Sequence, residues 1–140
     1  MTTICKATVT VASQQKLSTL MRQGSALRPE YREAYAGIVM KDNNLSSITI
    51  GTCPLGAAYE AATGMLPHDE MEQAELYEAL HRATGIDLSR ECLQLQKVNG
   101  DQLLPEKCRT VRLDQFINHL SLGLGWSREQ IADFLESADY

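Results

Sequence analysis

The sequence predicts a helix-rich α+β fold, with about five helices around a buried small-residue helix at residues 53–63 and one or two small β-hairpins. Three observations carry that prediction. Apolar residues recur at helical spacing in several separate segments. Two β-favouring runs flank Asp42-Asn43-Asn44, residues suited to a tight turn. The stretch from Pro54 to Gly64 has so little side-chain bulk that neighbouring helices can approach it closely.

Taken in order, Thr3 to Val11 is rich in Thr and Val and reads as a short strand, with Ser13 placed to cap the first helix. Leu17, Leu20, Met21, Gly24 and Leu27 form one apolar stripe on that helix, which Pro29 ends. Gly37 to Gly51 reads as a β-hairpin. In the next segment Pro54 suits a first helical turn, Gly64 closes the last, and Glu60 is the one charge between them. Asp69 is the expected cap of a third helix, with Glu70 and Glu72 in its first turn, a buried stripe of Gln73, Leu76, Tyr77, Leu80 and Ala83, and a stop at Gly85. Cys92 to Leu104 alternates around Asn99-Gly100 and predicts a second hairpin. Leu113, Phe116, Ile117 and Leu120 mark a further helix, broken by Gly123 and Gly125. In the closing helix Ser127 and Gln130 form a capping box, Trp126 and Ile131 a hydrophobic staple, and Ile131, Phe134, Leu135 and Ala138 the core face.

The 140 residues, 44% of them hydrophobic, suit one globular domain spanning residues 1–140. No run of eighteen apolar residues occurs and the first residues lack the pattern of a secretory signal, so a cytoplasmic protein without a membrane span is expected. The four cysteines are far apart, too sparse for a disulfide scaffold, and read as reduced and mostly buried thiols. Residues 42–81 carry seven acidic side chains and no Lys or Arg, whereas residues 1–41 have a basic surplus that includes Arg22, Arg28 and Arg32. The net charge of −5 argues against nucleic acid as the partner, leaving those three arginines as the candidate basic face.

Several chemistries can be weighed on their residues. The closing helix resembles the first half of a helix-turn-helix, but only three residues come after Ser137 and its charges are mainly acidic. Cys53 is the candidate nucleophile, because a thiol at a helix start can have its pKa lowered by the dipole and free amides. No local signature joins it to His68, His81 or His119. Glu78 and His81 have the E-x-x-H spacing of di-iron bundles, yet Met65 and Phe116 stand where a second copy needs an acid. No glycine-rich phosphate loop is present, and no cofactor is expected.

Three segments, L-S-T-L-M-R-Q-G-S-A-L-R-P, G-T-C-P-L-G-A-A-Y-E-A-A-T-G and H-L-S-L-G-L-G-W-S-R-E-Q-I-A-D-F-L-E, resemble a group of small uncharacterised bacterial and phage-type proteins. That group shares a C-A-L-G-A-A motif and a C-terminal W-[ST]-R-E-x-I-A-x-W-[LV]-E. Many of its members carry C-P-x-C followed by H-L-N-D-x-H, a spacing able to hold zinc. Here only Cys108 and His119 remain of that ligand set, with Leu124 in place of the second His. The resemblance therefore implies a shared fold without the metal, Leu124 and its neighbours filling the space by apolar packing.

Taken together, the residues point to a non-catalytic binding or regulatory module acting through a protein partner or self-association. Asp69, Glu72 and Glu75 supply an acidic face, and Arg22, Arg28 and Arg32 a complementary charge. A cysteine-dependent enzyme using Cys53 is the alternative, and a nucleic-acid-associated regulator a weaker one.

Overall fold

The computed structural model describes residues 14–41, 48–68, 70–104 and 110–140. Within them, α1 (Leu17–Leu27) is followed by strands β1 (Ala36–Lys41) and β2 (Ile48–Thr52), then by α2 (Pro54–Thr63) and α3 (Gln73–Thr84). A short strand β3 (Cys92–Gln94) runs into two 3-10 turns, Leu95–Val98 and Asp101–Leu103. Next come β4 (Thr110–Arg112), α4 (Leu113–Asn118) with a π-helical turn at His119–Gly123, and α5 (Arg128–Ser137). The strands form two separate antiparallel pairs, β1 with β2 and β3 with β4, so the architecture is a helix-rich α+β fold. No helix among the described residues is long and apolar enough to cross a membrane.

The small residues of α2 permit its central position. Cys53 occupies the N-cap with its Sγ accepting the Gly56 N–H, Pro54 follows, and Gly64 closes the helix at a φ of 76°. Leu55, Gly56, Ala57 and Ala58 are all buried. Here α1 meets α2 backbone to backbone, since a methyl added at Gly24 would lie 1.8 Å from the Ala57 carbonyl oxygen. On its other flank α1 packs on α5, and α3 covers α2. One hydrophobic cluster joins Leu17, Leu20 and Met21 to Leu55, Leu76, Leu80, Phe116 and Leu135.

Local capping and periodicity foretell most boundaries. Ser127 and Gln130 form both bonds of the capping box, and the Trp126 ring meets Phe134 edge-on at 6.3 Å. Leu113, Phe116, Ile117 and Leu120 are fully buried. Gly85 stops α3 at a φ of 79°, its N–H bonded to the His81 carbonyl.

Other expectations are corrected. The stripe of α1 ends at Gly24, and Leu27 is 62% exposed because the chain leaves the helix crossing there. The cap of α1 is Lys16, without a side-chain bond; Ser13 and the strand expected at Thr3 to Val11 lie outside the described residues. α3 is likewise capped three residues later than expected, at Glu72, which leaves Glu75 as the acid of its first turn. Asp69 itself lies outside the described residues. Gln73 is exposed, its amide donating to the Tyr77 hydroxyl at 2.6 Å. The first hairpin forms, its turn residues 42–44 lying outside the described residues, but Asn99-Gly100 makes none. Asn99 instead ends a 3-10 turn at a φ of 57°, and Gly100 is buried under the Phe134 ring. β3 therefore finds its partner further along the chain, with Leu93 opposite Val111.

A buried polar network fastens α4 to α3. Asp114 is 1% exposed; it accepts the Tyr77 hydroxyl at 2.8 Å, Arg112 Nε at 2.6 Å and the Gln115 N–H at 2.7 Å. Burial works to raise its pKa, but the bonds from Arg112, Tyr77 and Gln115 outweigh burial and hold the carboxyl below its ordinary value. A depressed pKa stabilises the fold fully above the unfolded value near 4, and that contribution is lost as pH falls through the folded value. Asp114→Asn should thus cost about 1–3 kcal/mol at pH 7, a cost that shrinks as pH falls below about 4, as read from urea midpoints of both proteins across that range.

Candidate functional site

Arg128, the first residue of α5, lies where a cation is disfavoured by the helix dipole, and it is 7% exposed. Four acceptors compensate. Its guanidinium donates to the carbonyls of Arg28 at 2.6 Å, Ser25 at 3.3 Å and Thr52 at 3.2 Å, and to Thr52 Oγ1 at 2.9 Å. The Ser25 carbonyl is in the last turn of α1, at the negative end of its dipole, and the Arg28 carbonyl belongs to the extended residue that follows. Burial lowers the Arg128 pKa below its ordinary value, opposed chiefly by the Glu30 carboxylate. Arg128 is therefore the C-terminal cap of α1, supplied by α5, and it holds the end of β2 in the same grip.

The three arginines of the expected basic face are each engaged within the chain. Arg22 bridges α1 to α5 through Asp133 at 2.6 Å and Glu136 at 2.7 Å. Arg28 places Nε on both oxygens of the buried Glu60, at 2.9 and 2.8 Å. Arg32 donates to the Ser121 carbonyl and pairs with Glu30. The acids Asp133 and Glu136 of α5 are thus partners of Arg22, and beyond that helix Asp139 binds Lys16 at 2.9 Å. On α3, Glu72 and Glu75 are exposed; Glu75 lies 3.6 Å from His68.

A cleft of about 350 Å³ opens over Cys53, between Arg32 to Tyr35 on one side and Asn118 to Leu122 on the other. Tyr35, Met71 and Ser121 also line it, and none of the three histidines does. Burial raises the Cys53 thiol above its ordinary value, outweighing the bonds from the Gly56 and Leu55 amides and the nearby Arg128 charge. The activating effect expected of a helix start is thus overcome by desolvation. Cys92 contrasts with it as a free and exposed thiol, against the expectation of buried cysteines.

Among the described residues no three His, Cys, Asp or Glu side chains come together as a metal site requires. Glu78 is held by Arg82 rather than joined to His81. His119 Nε2 lies 2.9 Å from the Leu103 carbonyl, and Cys108 lies outside the described residues. Leu124 is 43% exposed and Leu122 64%, so neither fills a vacated ligand space as expected. The π-helical turn carries them outward.

The surface feature that sequence reasoning missed is on the first hairpin. The register puts Ile38 opposite Ile50, and Ile48 shares their face by the two-residue period of a strand. Gly37 and Gly51 lie on the opposite face, where the Tyr31 ring fills the space above Gly37. Ile38 is 47% and Ile48 50% exposed, while Ile50 is half-buried. The alternation I-T-I was visible in the sequence, but which face would meet the body was not.

No family model matches the chain, no curated protein matches it, and no solved structure matches it.

Arg128→Lys keeps the charge but loses the fork that reaches four acceptors, and should lower unfolding free energy by about 2–4 kcal/mol in denaturant titration. In iodoacetamide labelling at pH 7.5, Cys92 should react at least about tenfold faster than Cys53.

Proposed function

We propose that this chain is a non-catalytic, cytoplasmic protein-binding module whose docking surface is the isoleucine face of the β1–β2 hairpin. The carrying observation is the solvent exposure of Ile38 and Ile48 on one face of a two-stranded sheet. Two-stranded hairpins are marginal alone and gain stability when their apolar face is covered, and grouped apolar side chains at a surface mark interaction sites. Polar groups elsewhere are largely committed to internal bonds, as the pairings of Arg22, Arg28 and Asp114 exemplify. Exposed Glu72 and Glu75 on α3 fit a role in steering a basic partner, which acts on encounter rate more than on affinity. A reducing compartment suits the free thiols Cys53 and Cys92.

Ile38→Asp combined with Ile48→Asp should leave the thermal midpoint within a few degrees of wild type, since both side chains face solvent. It should reduce the recovery of specific partners in affinity capture by roughly tenfold or more, as expected when about 1.5–3 kcal/mol per buried isoleucine is lost. Unchanged recovery by a folded variant would remove the hairpin as the docking surface. Glu72→Lys with Glu75→Lys should slow association while altering dissociation little.

A further inference from the structure

We infer that Asn99 is a site of spontaneous modification by water, closed by the fold and exposed when the turn from Leu95 to Leu103 opens. Asn99-Gly100 is the chain's single Asn-Gly pair.

Deamidation at such a pair needs no catalyst. The Gly100 backbone nitrogen attacks Asn99 Cγ; as the new N–C bond forms, the Cγ–Nδ2 bond breaks and ammonia leaves carrying the Gly100 proton. Water then opens the resulting succinimide ring at one of its carbonyls. Cleavage at Cγ gives aspartate, whereas cleavage at the main-chain carbonyl gives isoaspartate, whose chain runs through the former side chain. Glycine favours the first step because no Cβ screens its nitrogen.

Three features of the closed turn block that step. Ring closure requires the Gly100 nitrogen to eclipse the Asn99 Cβ across the Cα–C bond. Asn99 is left-handed, with φ 57° and ψ 34°, which turns the nitrogen to the side of that bond opposite Cβ. The Gly100 N–H, which must shed its proton, donates to the Leu95 carbonyl at 2.8 Å. Gly100 is also buried, and a methyl added there would lie 3.1 Å from Phe134 Cζ. Swinging its peptide to the reactive angle therefore requires the turn to lift away from α5. Further bonds resist this motion: the Gly100 carbonyl accepts the Leu103 N–H at 3.0 Å, and the Leu103 carbonyl lies 2.9 Å from His119 Nε2. The rate of modification is thus the rate in an open chain multiplied by the fraction of time the turn is open.

The isoaspartate product cannot close again as before. Its main chain is one atom longer at residue 99, so the amides of residues 99 and 100 no longer both reach the Leu95 carbonyl that accepts them in the intact turn. A reversible opening becomes a lasting mark, placed on chains whose contact between this turn and α5 has been lost.

The test is peptide mapping by mass spectrometry of the full chain, kept in mildly alkaline buffer either native or unfolded in urea. Conversion of Asn99 to aspartate and isoaspartate should be at least about tenfold slower in the native protein, in step with slow hydrogen exchange at the Gly100 amide. Phe134→Leu removes the ring over Gly100 and should speed conversion in native buffer. Urea below the unfolding midpoint should do the same to the wild-type protein, a readout independent of how the variant folds. The purified isoaspartate form should have a lower urea midpoint than the unmodified chain. The proposal is overturned if Asn99 converts as fast in the native protein as in the unfolded one, or if it stays intact in urea. It is also overturned if the Gly100 amide exchanges as freely as an unstructured one, or if the isoaspartate form is as stable as the original.

Discussion

The buried Arg128 guanidinium is the point on which the arrangement of the other elements depends. It joins three pieces of chain that are remote in sequence: the start of α5, the end of α1 and the end of β2. The latter two bring carbonyl groups that would be costly to bury alone. Gathering them around one cation satisfies the acceptors and the charge together, without an adjacent carboxylate in direct contact. The Ser127 capping box sets the backbone of the helix start, which aims Arg128 inward. Local chemistry at residues 127–130 thus governs tertiary placement as far away as the hairpin.

From that node the hairpin acquires its polarity. Its base is held, because Thr52 is buried and bonded on its outer side to Pro29 and Tyr31 as well as to Arg128. Further along β2 the residues become half-buried at Ile50 and exposed at Ile48. The hairpin is thus clamped at its base and apolar at Ile48 and Ile50. The cleft above Cys53 has a different character. Its thiol is in a setting that favours the neutral form, and no histidine lines the cleft to act as its base.

Short-range patterns were readable from sequence and long-range ones were not. The spacing of Leu113, Phe116, Ile117 and Leu120, and the pairing of Ser127 with Gln130, depend on residues within two helical turns, and the structure follows them. Asn99-Gly100 obeys the same local preference for a left-handed turn, yet burial of Leu95 and the Phe134 ring over Gly100 redirected it into a helical turn. The candidate sites were less legible still. Arg22, Arg28 and Arg32 look like a free basic surface until their acidic and carbonyl partners are known, and most of those partners come from distant segments. Arg128 looked like a lone cation on an acidic helix, although its position immediately after a strong cap hinted that its direction was determined. Ile38 and Ile48 show the reverse failure, since their β propensity was evident while their exposure depends on Tyr31 covering the other face.

The contact between Gly24 and Ala57 carries a consequence for helix register. Sliding α1 by one residue along α2 would bring Gln23 or Ser25 over the Ala57 carbonyl, and neither side chain fits a gap that refuses even a methyl group. A single hydrogen atom at Gly24 therefore acts as the notch that indexes one helix against the other. Everything attached to the far end of α1, from the carbonyls that receive Arg128 to the segment beside Thr52, inherits its alignment from that notch.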